Sequence, residues 1–418
     1  MVSSLFSVLF IVFFAASLLV RFWLASRQIR HVLRHRATVP PQFAEKITLR
    51  AHQKAADYTI ARTKFGLVEL FAGAFVLIGF TLLGGLQALS IFLLQHLGTG
   101  RLEQISLMVA VTLITGLIDL PFDYYRQFSL EGRFGFNKMK PALFFIDLAK
   151  STLVSAVIGL PLLWVVLSLM EQAGSLWWFY TWLVFSAFSI VMQVLYPTLI
   201  APLFNKFVPL DDASLKERIT KLMDRVGFTS RGLFVMDGSK RSGHGNAYFS
   251  GFGAAKRVVF FDTLLTRLQP QEVEAILAHE LGHFKLKHIT KRTVLMFAVS
   301  LVFLALLGYL KNQVWFYVGL GVVPLPDSSN DAVALILFML ALPVFTFFLS
   351  PVMSIGSRKH EYEADAFAAR QAQAQDLVSA LVKLYEDNAS TLTPDPLHSA
   401  FYDSHPNAAM RIARLVAQ

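Results

Sequence analysis

The chain has 418 residues, of which 55% are hydrophobic and only 16% are charged, with a net charge of +10. Soluble domains carry about 25% charged residues, so this composition excludes a soluble protein and predicts a membrane protein. The abundance of phenylalanine excludes disorder, and the absence of cysteine excludes disulfides, iron–sulfur clusters and thiolate chemistry, so any metal must be bound by His, Asp or Glu.

Seven apolar stretches are long enough to cross a bilayer, which requires about 20 residues of helix. They cover residues 3–25, 67–97, 102–122, 143–170, 176–203, 294–322 and 332–355. No positive charge precedes the first stretch, which favours an uncleaved anchor over a signal peptide. We therefore expect an all-α multi-pass membrane protein with seven transmembrane helices.

The basic residues predict the orientation in the membrane. If the stretches alternate across the bilayer, all but two of the 38 Lys and Arg lie on one side, and the exceptions are Arg101 and Lys311. The positive-inside rule then places the N-terminus outside and the large polar regions and C-terminus in the cytoplasm. This topology, with contact to the anionic lipid bilayer, accounts for the positive charge, so no nucleic-acid partner is expected.

The alternation of apolar and polar segments predicts four parts of the chain. They are transmembrane helices 1–5 with cytoplasmic connectors (1–204), a cytoplasmic insertion (205–292), transmembrane helices 6–7 (293–356) and a C-terminal helical region (357–418). Charges at helical spacing predict that 27–64 is an amphipathic helical connector.

The insertion is predicted to be a small α+β domain. Residues 232–237 and 256–262 are typical of short strands, and Pro270 is typical of the first turn of a helix. Residues 244–249 begin with turn formers and become aromatic, as in an exposed edge strand. An extended peptide can bind along such an edge through main-chain hydrogen bonds. The alternative for Asn246 is an ordinary turn.

The helix after Pro270 carries the sequence His279-Glu280-Leu281-Gly282-His283. The two histidines are four residues apart, so they lie about 40° apart on one helical face. Two imidazoles on successive turns can bind one Zn²⁺, and Glu280 can act as general base toward water held by the metal. We expect this helix to continue into the sixth span. The alternative is two unrelated surface histidines.

A catalytic zinc needs a third protein ligand, and the best candidate follows the seventh span. Glu361 and Asp365 are four residues apart on one predicted helical face, so Glu361 can bind the metal while Asp365 accepts the outer N–H of a ligand histidine. Glu363 points away from this face. A solvated acidic helix start is the alternative.

The remaining histidines have weaker patterns. His288 would lie about 140° round the same helix from His283, so we interpret it as structural. His360 has no matching partner, and we assign it no role. His405 precedes Pro406, as an ordinary residue at a helix start also can.

Together these motifs resemble the type 1 CAAX prenyl protease family, which are integral-membrane zinc metalloendopeptidases of the gluzincin kind. The similarity covers nearly the whole chain and rests on the following residues: His279-Glu280-x-x-His283, Glu361-x-x-x-Asp365, Asn246-Ala247, and His405-Pro406 followed by Arg411. It implies seven long helices that enclose a large water-filled chamber, with the metal near the cytoplasmic end.

The resemblance also implies roles for individual residues. One Zn²⁺ per chain would be bound by His279, His283 and Glu361, with Glu280 as the catalytic base. Asp365 would be the carboxylate outside the metal ligands, or the proton donor.

Further roles follow from the same resemblance. His405 would donate to the developing oxyanion, and Arg411 would orient the Glu/Asp pair. Asn246 and Ala247 would bind the substrate main chain.

The expected function is hydrolysis of peptide bonds by a zinc metalloendopeptidase. The substrate would be a peptide or protein, either C-terminally prenylated or membrane-embedded, and a quality-control protease without a prenyl substrate is one alternative. The other is a non-catalytic scaffold or transporter with a structural metal, which usually has four protein ligands. Short connections between spans and no Lys-Asp-Glu-Leu tail favour a bacterial inner membrane, with the ER membrane as the alternative.

Overall fold

The computed structural model describes residues 1–250, 256–326 and 328–417. Within them, seven helical segments are long and apolar enough to cross a membrane, as predicted from the sequence. They are Val2–His35, Leu49–Phe80, Arg101–Phe134, Pro141–Gln172, Gly174–Phe204, His288–Leu310 and Asp331–Gln371. Large apolar side chains such as Leu5, Phe75 and Leu153 are mostly exposed on these helices. Such a surface is stable against lipid and unfavourable in water.

The α-helices of the membrane part are α1 Val2–His35, α2 Leu49–Phe80, α3 Gly85–Leu97, α4 Arg101–Tyr124, α5 Glu131–Phe134, α6 Pro141–Gln172, α7 Trp177–Leu195 and α8 Ala201–Phe204. Two π-helical turns, Tyr125–Leu130 and Tyr196–Ile200, connect α4 to α5 and α7 to α8. Pro197 lies in the second of them, where it removes a backbone donor from the regular helix.

The remaining helices are α9 Ala213–Val226, α10 Asp262–Arg267, α11 Pro270–Lys285, α12 His288–Leu310, α13 Val314–Gly319, α14 Asp331–Thr346, α15 Ser350–Gln371, α16 Ala374–Asp387, α17 Pro396–Tyr402 and α18 Ala408–Val416. The helix that Pro270 was predicted to open is therefore α11. A short 3₁₀ turn, Phe347–Leu349, joins α14 to α15.

Three predicted boundaries were wrong. Stretch 67–97 is interrupted, because the chain turns at Gly84, where φ is +75°, between α2 and α3. Segment 27–64 is not a separate connector, since its two halves extend α1 and α2 beyond their apolar parts. The sixth span ends at Leu310, and α13 follows as a short separate helix.

A four-stranded sheet forms the β part of the chain outside the membrane helices. Its strands are β1 Phe207–Pro209, β2 Leu233–Met236, β3 Ala247–Ser250 and β4 Arg257–Phe261, in the order β1-β2-β4-β3. Strands β2 and β4 are parallel and the other pairs are antiparallel. Because β3 is last in the strand order, it is an edge strand, as predicted. A buried apolar core that includes Ile219, Phe260, Leu277 and Leu381 joins this sheet to α9, α11 and α16.

Candidate metal centre

The start of α11 is fixed by a capping box. The backbone N–H of Gln269 donates to Glu272 Oε2 at 2.7 Å, and Pro270 occupies the first turn, where its missing N–H costs nothing. Glu272 also accepts hydrogen bonds from Ser379 Oγ at 2.6 Å and Lys383 Nζ at 2.7 Å on α16. These contacts hold α11 against α16 at its first turn.

The close packing of α11 on α15 brings the predicted metal ligands together. A Cβ atom at Gly282 would lie 3.0 Å from Ala364 Cα and 3.2 Å from its carbonyl oxygen. Glycine at this position lets the two helix backbones approach. As a result, His279 and His283 on α11 face Glu361 on α15.

The three side chains converge through specific atoms. The Nε2 atoms of His279 and His283 are 3.2 Å apart, and Glu361 has Oε2 3.5 Å from the first and Oε1 3.3 Å from the second. One candidate ligand atom from each residue lies within 4.8 Å of the others. His279 and Glu361 are buried and His283 is half-buried.

This donor set fits zinc. Glu361 Oε2 is buried and has no hydrogen-bond partner among the described residues, which is costly for a charged oxygen unless a cation compensates it. Two imidazole nitrogens and one carboxylate oxygen are the three protein ligands of many catalytic zinc sites, with a fourth position left open.

Asp365 and Arg411 surround the outer side of this cluster. Asp365 Oδ1 lies 2.8 Å from His279 Nδ1, on the opposite side of the ring from Glu361. Arg411 donates to both oxygens of Asp365, from Nε at 2.9 Å and from Nη2 at 2.6 Å, and its Nη1 is 3.7 Å from Glu361 Oε2. Glu361, Asp365 and Arg411 are all buried, so their charges interact with little screening by water.

The protein groups around His279 strongly favour its protonated form. Burial of the ring opposes protonation, but the carboxylates of Asp365 and Glu361 outweigh it and raise the pKa of His279 to about 9. A metal must displace a proton from this ring to bind it, and the same two carboxylates would then stabilise the metal cation.

Glu280 and His405 face a cavity of about 520 Å³ that His279 and Glu361 also line. Glu280 is half-buried in its wall. His405, in the loop between α17 and α18, places Nε2 3.3 Å from Glu361 Oε1 and donates or accepts at Nδ1 with Ser404 Oγ at 2.9 Å. Its side chain is 62% exposed, so a ligand in the cavity can reach it.

Asn246 and Ala247 line the same cavity, at the beginning of β3. Asn246 Oδ1 accepts a hydrogen bond from the backbone N–H of Ala247 at 2.8 Å, and its carbonyl accepts from Phe261 N at 3.0 Å. The structure therefore brings together every residue that the sequence analysis singled out as a candidate for the site.

Two further residues adjoin the metal cluster and were not predicted there. His288 Nδ1 lies 3.1 Å from His283 Nδ1, and His288 Nε2 lies 2.9 Å from Glu363 Oε2. The prediction that α11 continues into the sixth span was wrong, because the helix breaks at Lys287, where φ is +57°. A 140° separation on one helix therefore does not apply to His288. No proline or glycine marks this break in the sequence.

A second cavity of about 860 Å³ lies between the membrane helices and the C-terminal region. Its lining includes Arg21 on α1, Tyr58 and Arg62 on α2, and both His405 and Arg411. Because Tyr58, Arg62, His405 and Arg411 also line the cavity at the metal cluster, the two spaces adjoin. Among the described membrane helices, only α1 and α2 contribute to the lining of this second cavity.

Comparisons with known proteins cover both halves of the chain. Residues 28–206 match the family described as CAAX prenyl protease N-terminal, five membrane helices, and residues 209–418 match peptidase family M48. The chain is 35% identical to CAAX prenyl protease 1 homolog of Arabidopsis thaliana over 90% of this chain and 89% of that protein. It is 33% identical to CAAX prenyl protease 1 of Saccharomyces cerevisiae, over 90% and 88%.

The fold also matches a crystal structure. The structure of S. mikatae Ste24p superposes with a TM-score of 0.92 at 30% sequence identity, covering 98% of this chain and 99% of that one. The agreement extends over membrane helices and the sheet region alike.

Proposed function

The chain belongs to peptidase family M48, as a multi-pass integral-membrane zinc metalloprotease of the CAAX prenyl protease type, and from this premise we propose which residues carry out hydrolysis. Family membership sets aside the alternative of a non-catalytic scaffold or transporter. The observation that carries the proposal is the convergence, beside Glu280, of two imidazoles and a buried carboxylate oxygen that has no hydrogen-bond partner among the described residues.

We propose that one Zn²⁺ per chain is bound by His279, His283 and Glu361. Asp365 accepts a hydrogen bond from His279 Nδ1, which fixes the orientation of the ring and leaves Nε2 to bind the metal. Arg411 holds Asp365 through two hydrogen bonds and offsets the charge of both carboxylates.

When bound, zinc supplies Lewis-acid polarisation of the scissile carbonyl and lowers the pKa of water. Glu280 takes the proton of the attacking water and delivers it to the leaving amine, since it faces the cavity and has no hydrogen-bond partner among the described residues that would hold it back. His405 donates from Nε2 to the oxyanion that develops on the substrate. Asp365 acts through His279 in this scheme, as a positioning residue.

The substrate main chain is proposed to bind in extended form beside β3. Asn246 and Ala247 stand at the point where this edge strand meets the cavity, and an edge strand offers unpaired backbone groups to an added strand. Because this binding uses backbone groups, it depends little on the amino-acid sequence of the substrate.

The experiment that tests this assignment compares purified wild type with Glu280→Gln. We expect one zinc per chain in both proteins, and chelator-sensitive peptide cleavage only in the wild type, with loss of at least about 100-fold from removal of the general base. Loss of zinc in Glu280→Gln, or full turnover by it, would falsify the role given to Glu280. Absence of zinc in both would refute the ligand set.

We propose C-terminally prenylated proteins as the substrate class, with unprenylated membrane-embedded proteins as the alternative. The support is family membership and the cavity of about 860 Å³ beside the site. Cleavage of a farnesylated peptide against its unfarnesylated twin separates the two, since only a prenyl-dependent enzyme prefers the first by more than tenfold.

For the location we propose a bacterial inner membrane, with the ER membrane as the alternative, because the connections between spans are short. The N-terminus is proposed to lie outside, and the active site and C-terminus in the cytoplasm, because all but two of the 38 Lys and Arg then face inward.

A further inference from the structure

The ring of His283 has two contacts of different kinds. Its Nε2 faces His279 and Glu361, whereas its Nδ1 lies 3.1 Å from His288 Nδ1. His288 in turn places Nε2 2.9 Å from Glu363 Oε2. We propose, on the basis of the zinc site proposed above, that His288 and Glu363 are positioning residues that hold His283 ready for the metal through this chain of hydrogen bonds.

The proton positions along this chain are mutually consistent. A neutral imidazole that gives the lone pair of Nε2 to a metal carries its proton on Nδ1. That N–H of His283 donates to His288 Nδ1, which leaves the His288 proton on Nε2, where it donates to Glu363. Each hydrogen bond fixes one tautomer, and the carboxylate at the end favours the order that makes His283 a ligand through Nε2.

Each of the two proposed ligand histidines would then be supported by a carboxylate on the side of its ring that faces away from the metal. His279 contacts the carboxylate of Asp365 directly at 2.8 Å. His283 reaches the carboxylate of Glu363 through one intervening imidazole. Carboxylate support of metal-binding histidines is a general way to raise ligand basicity and fix ring orientation.

The backbone break after α11 brings His288 into contact with His283. Lys287 adopts left-handed φ of +57°, a conformation that costs free energy for a residue with a side chain. The turn makes His288 the first residue of α12 and returns its ring to His283, which it could not contact from a continuous helix. His288 is only 4% exposed, so solvent does not compete for its nitrogens.

A second metal ion is the rival explanation for these residues. One nitrogen of His288, one of His360 and an oxygen of Glu363 lie within 4.8 Å of one another. However, the rings of His288 and His360 are stacked, with centroids 4.1 Å apart and planes at 12°. Lone pairs of stacked rings run side by side and do not converge on an ion, so we assign His360 to covering the face of His288.

The test measures zinc affinity of the purified full-length chain by competition with a chelator. We expect His288→Ala and Glu363→Ala each to weaken zinc binding by about 10- to 100-fold. His288→Asn keeps an acceptor close to His283 Nδ1 and cannot reach Glu363, so we expect it to recover part of the loss.

Two variants serve as matched controls. Lys359→Ala removes an exposed cation whose Nζ is 3.9 Å from Glu363 Oε1, and His360→Phe preserves the stacked ring. Both should bind zinc within about twofold of wild type if the hydrogen-bonded chain carries the effect, and a tenfold loss in His360→Phe would favour the second-ion explanation.

Thermal unfolding of the metal-free variants separates positioning from a structural role. Weaker zinc binding at an unchanged metal-free unfolding temperature supports the inference. Wild-type affinity in both His288→Ala and Glu363→Ala, or losses matched by lower metal-free unfolding temperatures in both, would overturn it. If the wild type itself binds no zinc, the proposed metal centre fails, and this result is distinct from a variant-specific change.

Discussion

Arg411 is the cation around which the buried carboxylates of the site are arranged. It donates twice to Asp365, lies 3.7 Å from Glu361, and is itself buried. Removing one member of a buried ion pair leaves an uncompensated charge and costs about 3–5 kcal/mol. We therefore expect Arg411→Met to lower the free energy of unfolding by about this amount, measured by denaturant unfolding in detergent.

A surface arginine provides the control for this prediction. Arg267 also pairs with two carboxylates, Glu386 at 2.9 Å and Asp387 at 3.1 Å, but its side chain is 47% exposed. Exposed pairs contribute about 0–1 kcal/mol, so Arg267→Met should change the unfolding free energy by less than about 1 kcal/mol. Equal effects of the two substitutions would contradict the role given to burial.

Local periodicity was sufficient to predict only part of the site. His279 and His283 share a helical face by their spacing alone, and so do Glu361 and Asp365. That Arg411 and His405 meet these helices could be inferred only through family resemblance, since no local pattern links residues so far apart. The contact between His288 and His283 depends on a backbone angle at Lys287 that no residue type there demands.

At the scale of secondary-structure elements, the approach of α11 to α15 decides whether the proposed metal ligands meet. Gly282→Ala would place a Cβ 3.0 Å from Ala364 Cα, which requires the backbones to separate. We expect a loss of about 1–3 kcal/mol in stability and weaker zinc binding, because His283 and Glu361 lie on opposite helices. Unfolding and zinc competition on the same sample measure both effects.

Gly356 is the matched control on α15. A Cβ at this position meets no heavy atom within 4 Å, so Gly356→Ala should preserve zinc affinity. It should also stabilise the helix by up to about 1 kcal/mol, since glycine is a poor helix former. Zinc loss in Gly356→Ala comparable to that of Gly282→Ala would show that the contact is not the cause.

Apolar length predicted the number of spanning helices but not every break between elements. The residues on both sides of the turn at Gly84 are equally apolar, so α2 and α3 form one stretch in the sequence. The polar ends of α1 and α2 were assigned to a separate connector because the hydropathy changes in the middle of each helix and not at its end. Strands β2 and β4 were predictable because each is a short run that contains Val and Phe and ends before an aspartate.

At the scale of the whole molecule, the absence of cysteine makes the proposed orientation directly testable. Thr99 and Lys216 are both exposed, the first between α3 and α4 and the second on α9. We expect a membrane-impermeant maleimide to label Thr99→Cys in intact cells and Lys216→Cys only after permeabilisation. The reverse pattern would invert the topology.

If the substrate binds beside β3 as proposed, the position of β3 at the edge of its sheet also determines when a substrate can be cut. A chain can add to that edge only where its own backbone groups are unpaired, so a segment within a helix or sheet must first open. Local opening ranges from nearly free at frayed ends to the full cost of unfolding in a core. The cleavage rate of a folded substrate would then depend on how often the cut segment unfolds locally. The enzyme would prefer segments that unfold easily, whatever their side chains.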